Sequence, residues 1–300
     1  MKNIHQIKHK LKNPVVTVGT FDGVHLGHQK IMRLLIERAK KINGTSVVIT
    51  YHPHPLEILR ERHYPYLLTE QSKKEDFLKK IGIDYVLWLD FDKKLAGMSP
   101  LDFVEEYFVE KITAKEIIVG YDWHFGKNQE GDFHLLKKYE NKFNFKVDMV
   151  DKVLVEGETV SSTIIRKYLQ QGRIQKVNQM LGRKYSIIAN IISKKGKKDI
   201  YAIKLKAEEF RKLFPNRGLY FSKLVIGQRE VYALSIFEQN FADTSQTKII
   251  KCYFSSPDEI EHSDVELFMI KKLPRDSQNE TIRQIETYMS AKGEDGKVTL

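Results

Sequence analysis

Up to about residue 180, short β-rich runs alternate with stretches of helical period, a pattern that a parallel sheet covered by helices satisfies and few other folds do. The strand candidates are Val15 to Val18, Ser46 to Thr50, Tyr85 to Leu89, Glu116 to Val119 and Lys146 to Val150. Between the first two, Ile31, Leu34, Leu35 and Ala39 recur at the spacing of one buried helical stripe. A second helix is expected from Ser99-Pro100, where serine caps and proline suits the first turn, with Leu101, Val104, Tyr107 and Phe108 on its apolar side. These are βαβ units.

After residue 185 the helical period disappears. Tyr185 to Ile192, Tyr201 to Leu205, Leu219 to Val225, Val231 to Phe237 and Thr247 to Phe254 read as strands of a small antiparallel barrel or sandwich. A closing helix is expected around Glu280 to Met289. A chain of 300 residues is long enough for one sizeable core plus a smaller unit, and the boundary is placed near Arg183, giving 1–183 and 184–300.

The formal charge of +11 favours anionic partners, and charge alone does not choose among nucleotides, nucleic acid and an acidic membrane. The densest basic cluster, Lys194, Lys195, Lys197 and Lys198, is interrupted by Gly196 and has no aromatic residues interleaved for base stacking, so it reads as a solvated turn. Nucleic acid is therefore not an expected partner. The single cysteine, Cys252, forms no internal disulfide, and no Cys/His cluster has structural-zinc spacing. The charged opening residues and the lack of any apolar run of bilayer length point to a soluble cytoplasmic protein with no membrane partner.

The first strand candidate runs into Gly19-Thr20-Phe21-Asp22-Gly23-Val24-His25-Leu26-Gly27-His28, and helical periodicity starts at once. Glycines permit the tight turn, which delivers two histidines to a helix N-terminus. Their i, i+3 spacing puts both imidazoles on one face, where free N–H groups and the helix dipole attract phosphate. Gly27 removes a side chain that would hold a phosphate off. A lone His-x-Gly-His also occurs by chance at helix starts; its setting after a strand and a glycine turn favours the phosphate reading.

Adenylyl transfer suits such a site. Its nucleophile is a phosphate oxygen already ionised at neutral pH, so the need is not for a base but for neutralisation of charge on the α-phosphate and on departing pyrophosphate. Far along the chain, Ser161-Ser162-Thr163-Ile164-Ile165-Arg166 clusters hydroxyls at a helix start with an arginine one turn on. It would serve the β- and γ-phosphates, or be an ordinary serine cap.

Together these elements resemble the nucleotidylyltransferase superfamily, and more closely the bacterial FAD synthetases, usually bifunctional with riboflavin kinase. The matching residues are Gly19 to Gln29, Thr50-Tyr51-His52-Pro53-His54-Pro55, Gly120-Tyr121-Asp122-Trp123-His124-Phe125-Gly126, Ser161 to Arg166 and Leu181-Gly182-Arg183-Lys184-Tyr185. The resemblance implies a Rossmann-like nucleotidylyltransferase domain followed by a riboflavin-kinase-like β-barrel. It implies ATP, FMN and Mg²⁺ as reactants and FAD as product. His25, His28 and Arg166 would be catalytic; Gly19, Thr20, Phe21, Asp22, Gly27, Ser161, Ser162 and Thr163 would bind ATP. His52, Pro53, His54, Asp122, Trp123, Phe125 and Gly126 would bind FMN. His52 and His54 equally suit a turn alone, and Trp123 a core position. No metal ligand is assigned.

The resemblance fails at one place. The kinase domain of the bifunctional enzymes carries a glycine-rich stretch followed by Pro-Thr-Ala-Asn, whose Thr and Asn bind the metal and ATP phosphates. Lys194 to Leu205 contains no such motif, and the stretch from Thr247 to Phe254 offers no counterpart of the kinase glutamate. Barrel-like features persist at Phe214 to Tyr220, because β packing needs only alternating apolar residues and turns. The expectation is an FMN adenylyltransferase without kinase activity. The alternatives are a transferase for another phosphorylated acceptor and a non-catalytic flavin or nucleotide sensor.

Overall fold

Six parallel strands form the first sheet: β1 (Lys2–Asn3), β2 (Pro14–Val18), β3 (Thr45–His52), β4 (Tyr85–Asp90), β5 (Glu116–Gly120) and β6 (Lys146–Val150), in the order β1-β4-β3-β2-β5-β6. The computed structural model describes residues 2–3, 10–59, 66–197, 200–207, 211–238, 249–255 and 263–273. All five strands expected from the sequence in this half are present, and β1 adds a short edge beside β4.

Alternate residues of these strands enter two separate cores. Val16, Val18, Val47, Ile49, Leu87, Leu89, Ile117 and Val119 face one side, and Val15, Val48, Val86 and Ile118 the other. Burial on both faces is why the strands read as continuous apolar runs. The second face is covered by α1 (Leu26–Lys41), through Ile31, Met32, Leu35 and Ala39. Among the described residues the other α-helices of this part are α2 (Pro55–Leu59), α3 (Gln71–Ile81), α4 (Lys93–Ala96) and α5 (Pro100–Phe103), then α6 (Phe133–Lys138) and α7 (Glu140–Phe143).

Ser99 caps α5 as expected, its hydroxyl accepting the N–H of Asp102 at 3.1 Å. Beyond Phe103 the chain continues as a π-helix over Val104–Lys111 rather than as an α-helix. Val104, Tyr107 and Phe108 are its buried residues, and their apolar spacing alone does not specify the wider winding.

A short hairpin, β7 (Leu154–Val155) and β8 (Glu158–Thr159), precedes α8 (Ser162–Gln170) and α9 (Ile174–Leu181). Six antiparallel strands then close a barrel: β9 (Tyr185–Lys197), β10 (Ile200–Ala207), β11 (Gly218–Ile226), β12 (Arg229–Phe237), β13 (Ile249–Ser255) and β14 (Asp264–Leu273). The barrel, not the sandwich, is the outcome.

Two expectations change here, and a third falls outside the described residues. β14 was not among the expected strands, because its outward positions Phe268 and Ile270 are apolar too and blur the period-two pattern of Val265, Leu267 and Met269. Lys194, Lys195 and Lys197 lie within β9, paired with β10, and not in a turn; Lys198 falls outside the described residues. The helix around Glu280 to Met289 is also outside them.

By contacts the chain divides into Met1–Ser161 and Ser162–Leu300, earlier than the boundary near Arg183. The reason is that α8 and α9 are tied to the barrel. Asn178 donates to the Met269 carbonyl at 3.0 Å and accepts the Tyr185 N–H at 2.7 Å, while the Asn216 N–H reaches the Leu169 carbonyl at 3.2 Å.

Candidate active site

The strand order places a topological switch between β2 and β5: the chain leaves β2 toward β3 on one side and β5 toward β6 on the other. Open α/β sheets bind ligands outside the carboxyl ends of strands at such a point. The loop after β2 carries Gly19 to His25 and that after β5 carries Tyr121 to Gly126, while β3 ends on His52 and is followed by Pro53 and His54. Three of the motifs read from the sequence thus meet at one end of one sheet.

The loop after β2 is held in a demanding conformation. Phe21, Gly23 and Val24 have φ of 46°, 88° and 38°, and a β-branched residue in the left-handed region costs of order 1–3 kcal/mol. Side chains from elsewhere hold the turn. The buried Asp22 carboxylate accepts the N–H groups of Leu68 and Thr69 at 2.9 and 3.0 Å. Gln29 donates to the Val24 carbonyl at 2.9 Å, and the ammonium of Lys74 donates to the Thr20 carbonyl at 2.8 Å. The Phe21 ring lies over Gly19, where a Cβ would meet its Cζ at 3.1 Å. Asp22, expected to bind ATP, uses its carboxylate to shape the loop.

His25 is the N-cap of α1, a position that serine, threonine, aspartate or asparagine usually takes. Its Nδ1 accepts the His28 N–H at 3.3 Å, which puts its proton on Nε2. The His25 and His28 rings stack with centroids 3.6 Å apart and planes at 20°, and Phe21 meets His28 edge-on at 5.2 Å. The i, i+3 spacing therefore brings both imidazoles to the helix N-terminus as expected. Gly27 also serves the packing of the site. A Cβ there would lie 3.1 Å from Cε1 and Nδ1 of His25 and 3.7 Å from the Val160 carbonyl, so the missing side chain makes room for the His25 ring.

The distant hydroxyl cluster also sits at a helix start. Ser161 immediately precedes α8, Ser162 opens it, Thr163 is exposed, and Arg166 is half-buried one turn on. Ile165, Tyr168 and Leu169 form the buried side of α8.

The expected flavin segments divide into framework and surface. Phe125 is buried in the core, bridged in both directions to Gly131 at 2.9 Å, and so does not present a free ring. Trp123 is half-buried and stacks on Phe125 at 4.5 Å and 12°. Asp122 and His52 are exposed, the latter edge-on to Trp88 at 6.2 Å. Pro53 follows a cis peptide bond, and the Nδ1 of His54 accepts the Leu56 N–H at 3.2 Å at the start of α2. Gly126 has φ of 73° and lies against Pro100, where a Cβ would come within 2.8 Å.

Among the described residues no group of three or more His, Cys, Asp or Glu side chains is placed to hold a metal ion. Those residues do not fit a protein cage for Mg²⁺, an ion that keeps several waters and binds chiefly to phosphates in nucleotide sites. Sequence reasoning missed Lys74 altogether. Its signal was a lysine on the stripe of Leu78 and Ile81, at i, i+4 and i+7, where an apolar residue belongs.

The family model for FAD synthetase matches residues 7–164. The chain belongs to the FAD synthetase family. A bifunctional riboflavin kinase/FMN adenylyltransferase of Buchnera aphidicola from Acyrthosiphon pisum is 32% identical over 287 residues, covering 93% of this chain and 90% of that one. The protein of that name from Escherichia coli strain K12 is 32% identical over 178 residues, 59% of this chain and 57% of its own. Among solved structures, one described as a macrolide-efflux protein from Streptococcus pneumoniae superposes with a TM-score of 0.80 at 23% identity, covering 96% of this chain and 95% of that one. That likeness speaks to the fold. Among the described residues, no helix of this FAD synthetase family member is long and apolar enough to cross a membrane.

Proposed function

We propose that the chain joins FMN to the AMP half of ATP, giving FAD and pyrophosphate. The FMN phosphate oxygen attacks the α-phosphorus in line, its new P–O bond replacing the bond to the pyrophosphate oxygen, and no covalent enzyme intermediate forms. The observation that carries this reading is the His25-capped N-terminus of α1 at the sheet's switch point, with the His28 ring stacked on it. In this reading the Nε2–H of His25, the His28 imidazole and the first N–H groups of α1 face the charge that gathers on the α-phosphate. Ser161, Ser162, Thr163 and Arg166 take the departing phosphates. Mg²⁺ enters with ATP and supplies charge neutralisation on its phosphates. The exposed face of Trp123 and the ends of the loops after β3 and β5 receive the flavin. A cytoplasmic location belongs to the same reading.

The barrel is proposed to lack riboflavin kinase activity, because the stretch where the metal-binding Pro-Thr-Ala-Asn of that kinase belongs is here a lysine-rich hairpin of β9 and β10. One experiment tests both halves: product analysis after supplying FMN or riboflavin, each with Mg-ATP. FAD and pyrophosphate are expected from FMN, and no FMN from riboflavin. Failure to form FAD would overturn the transferase reading, and stoichiometric FMN from riboflavin would overturn the loss of the kinase.

A further inference from the structure

Lys74 lies 54 residues along the chain from Thr20 and is only 7% exposed, a setting in which lysine is rare unless paired. Its Nζ donates to the Thr20 carbonyl at 2.8 Å, stands 3.5 Å from the Thr50 hydroxyl, and sits 5.1 Å from the centre of the Trp88 ring. The Thr50 hydroxyl donates to the same carbonyl at 3.2 Å. The negative charge of Asp22 acts on the ammonium from the loop itself. Desolvating an ammonium is costly, and a methionine would fill the same volume at lower cost. What methionine lacks is a charged donor to Thr20, the residue that opens the turn with positive φ at Phe21 and Val24. The far end of that turn is the His25 cap.

We propose that Lys74 is a positioning residue for adenylyl transfer: by holding the Thr20 carbonyl and facing the Asp22 charge, it keeps the Thr20 to Val24 turn in its strained form and aims the His25 and His28 rings. Its kinetic consequence rests on the adenylyl-transfer reading above; its geometric consequence does not. With an apolar side chain at position 74, the Thr20 carbonyl keeps the Thr50 hydroxyl alone as its side-chain donor among those described, and Asp22 loses the ammonium's countercharge. The turn then relaxes toward ordinary dihedral angles and the histidine pair loses its fixed aim.

The test compares Lys74→Met with Lys80→Met, a change at an exposed position of the same helix. Lys74→Met is expected to lower kcat/KM for ATP by roughly tenfold or more, the scale of a lost hydrogen bond to a charged group, with KM for FMN within about twofold of the parent. Lys80→Met should match the parent in both. Nitrogen NMR of the imidazoles gives a readout that needs no turnover. In the parent, His25 should show an unprotonated Nδ1 and a protonated Nε2, and in Lys74→Met that pattern should move toward tautomer averaging. If Lys74→Met does not fold, Thr50→Val, which removes the other donor to Thr20, takes its place with the same readouts and a smaller expected loss. Unchanged ATP kinetics with unchanged imidazole signals in a folded variant would overturn the inference. So would equal losses toward ATP and FMN, as general loosening of the domain predicts. A parent protein that makes no FAD overturns the transferase reading instead, and the imidazole signals then decide the role of Lys74 alone.

Discussion

The Nδ1 of His25 accepts the main-chain N–H of His28 at 3.3 Å while the two rings stack 3.6 Å apart, so one side chain both ends the loop and begins the helix. This double use separates two functions that an alanine substitution merges. His25→Ala should lose the cap, at about 1 kcal/mol of stability, together with the Nε2 donor. His25→Asn retains a good cap and should unfold near the parent temperature, yet lose turnover. His28→Ala leaves the cap intact and should lower turnover by roughly 10²-fold or more, the scale of a lost transition-state donor. Steady-state FAD formation beside thermal unfolding checks all three; near-normal turnover in His28→Ala would falsify the assignment.

Asp22 is expected to matter for stability first. Its carboxylate accepts two main-chain N–H groups in a buried site. Asp22→Asn leaves a single acceptor oxygen and removes the charge opposite Lys74, which should cost about 1.5–3 kcal/mol. Chemical denaturation measures it, and a change below the scatter of the method would show that the clamp is not made in solution.

Gly126 has φ of 73°, and a Cβ there would come within 2.8 Å of the Pro100 ring nitrogen. Both the dihedral angle and the clash oppose any side chain, and neither partner is the end of a flexible chain. Gly126→Ala should destabilise the protein by roughly 1–3 kcal/mol and raise KM for FMN more than KM for ATP, because it displaces the Asp122 to Gly126 loop. Equal effects on both substrates would contradict that placement.

Lys74 provides a pH test. Burial lowers its pKa from 10.5 to about 8, the nearby Asp22 charge opposing the shift. The folded value lies below the unfolded one, so between pH 8 and 10.5 the unfolded chain binds more protons and stability from this group rises with pH. Below pH 8 the cost of the buried charge is present in full. The unfolding free energy of the parent, relative to Lys74→Met, should therefore rise from pH 8 to 9.5 by up to about 1.4 kcal/mol per pH unit. Staying below the ordinary tyrosine value of 10.0 keeps out Tyr51 and Tyr107, whose burial holds their hydroxyls protonated. A flat or falling difference rules out the depressed lysine.

Much of the fold was written locally. The five parallel strands after residue 10, the helix behind His25 and the Ser99 cap follow from apolar period and capping chemistry, which act over a few residues. β14 escaped because a barrel strand with apolar residues on both faces has no period-two signal. The lysine cluster was misplaced because charge density does not distinguish a turn from the end of a long hairpin.

The candidate site divides the same way. The sequence by itself determined that two histidines meet at a helix N-terminus behind a glycine turn, since i, i+3 spacing is a property of one helix. Only the tertiary structure decided how that turn is held. Leu68, Thr69 and Lys74 reach Asp22 and Thr20 across 46 to 54 residues of chain, and Thr50 comes from the neighbouring strand. It also decided that Gly27 makes room for the His25 ring and that Phe125 is core. Periodicity and capping are short-range and leave their mark in the order of residues; a hydrogen bond to a carbonyl far along the chain, or the volume beside a glycine, exists only once the chain has folded around it.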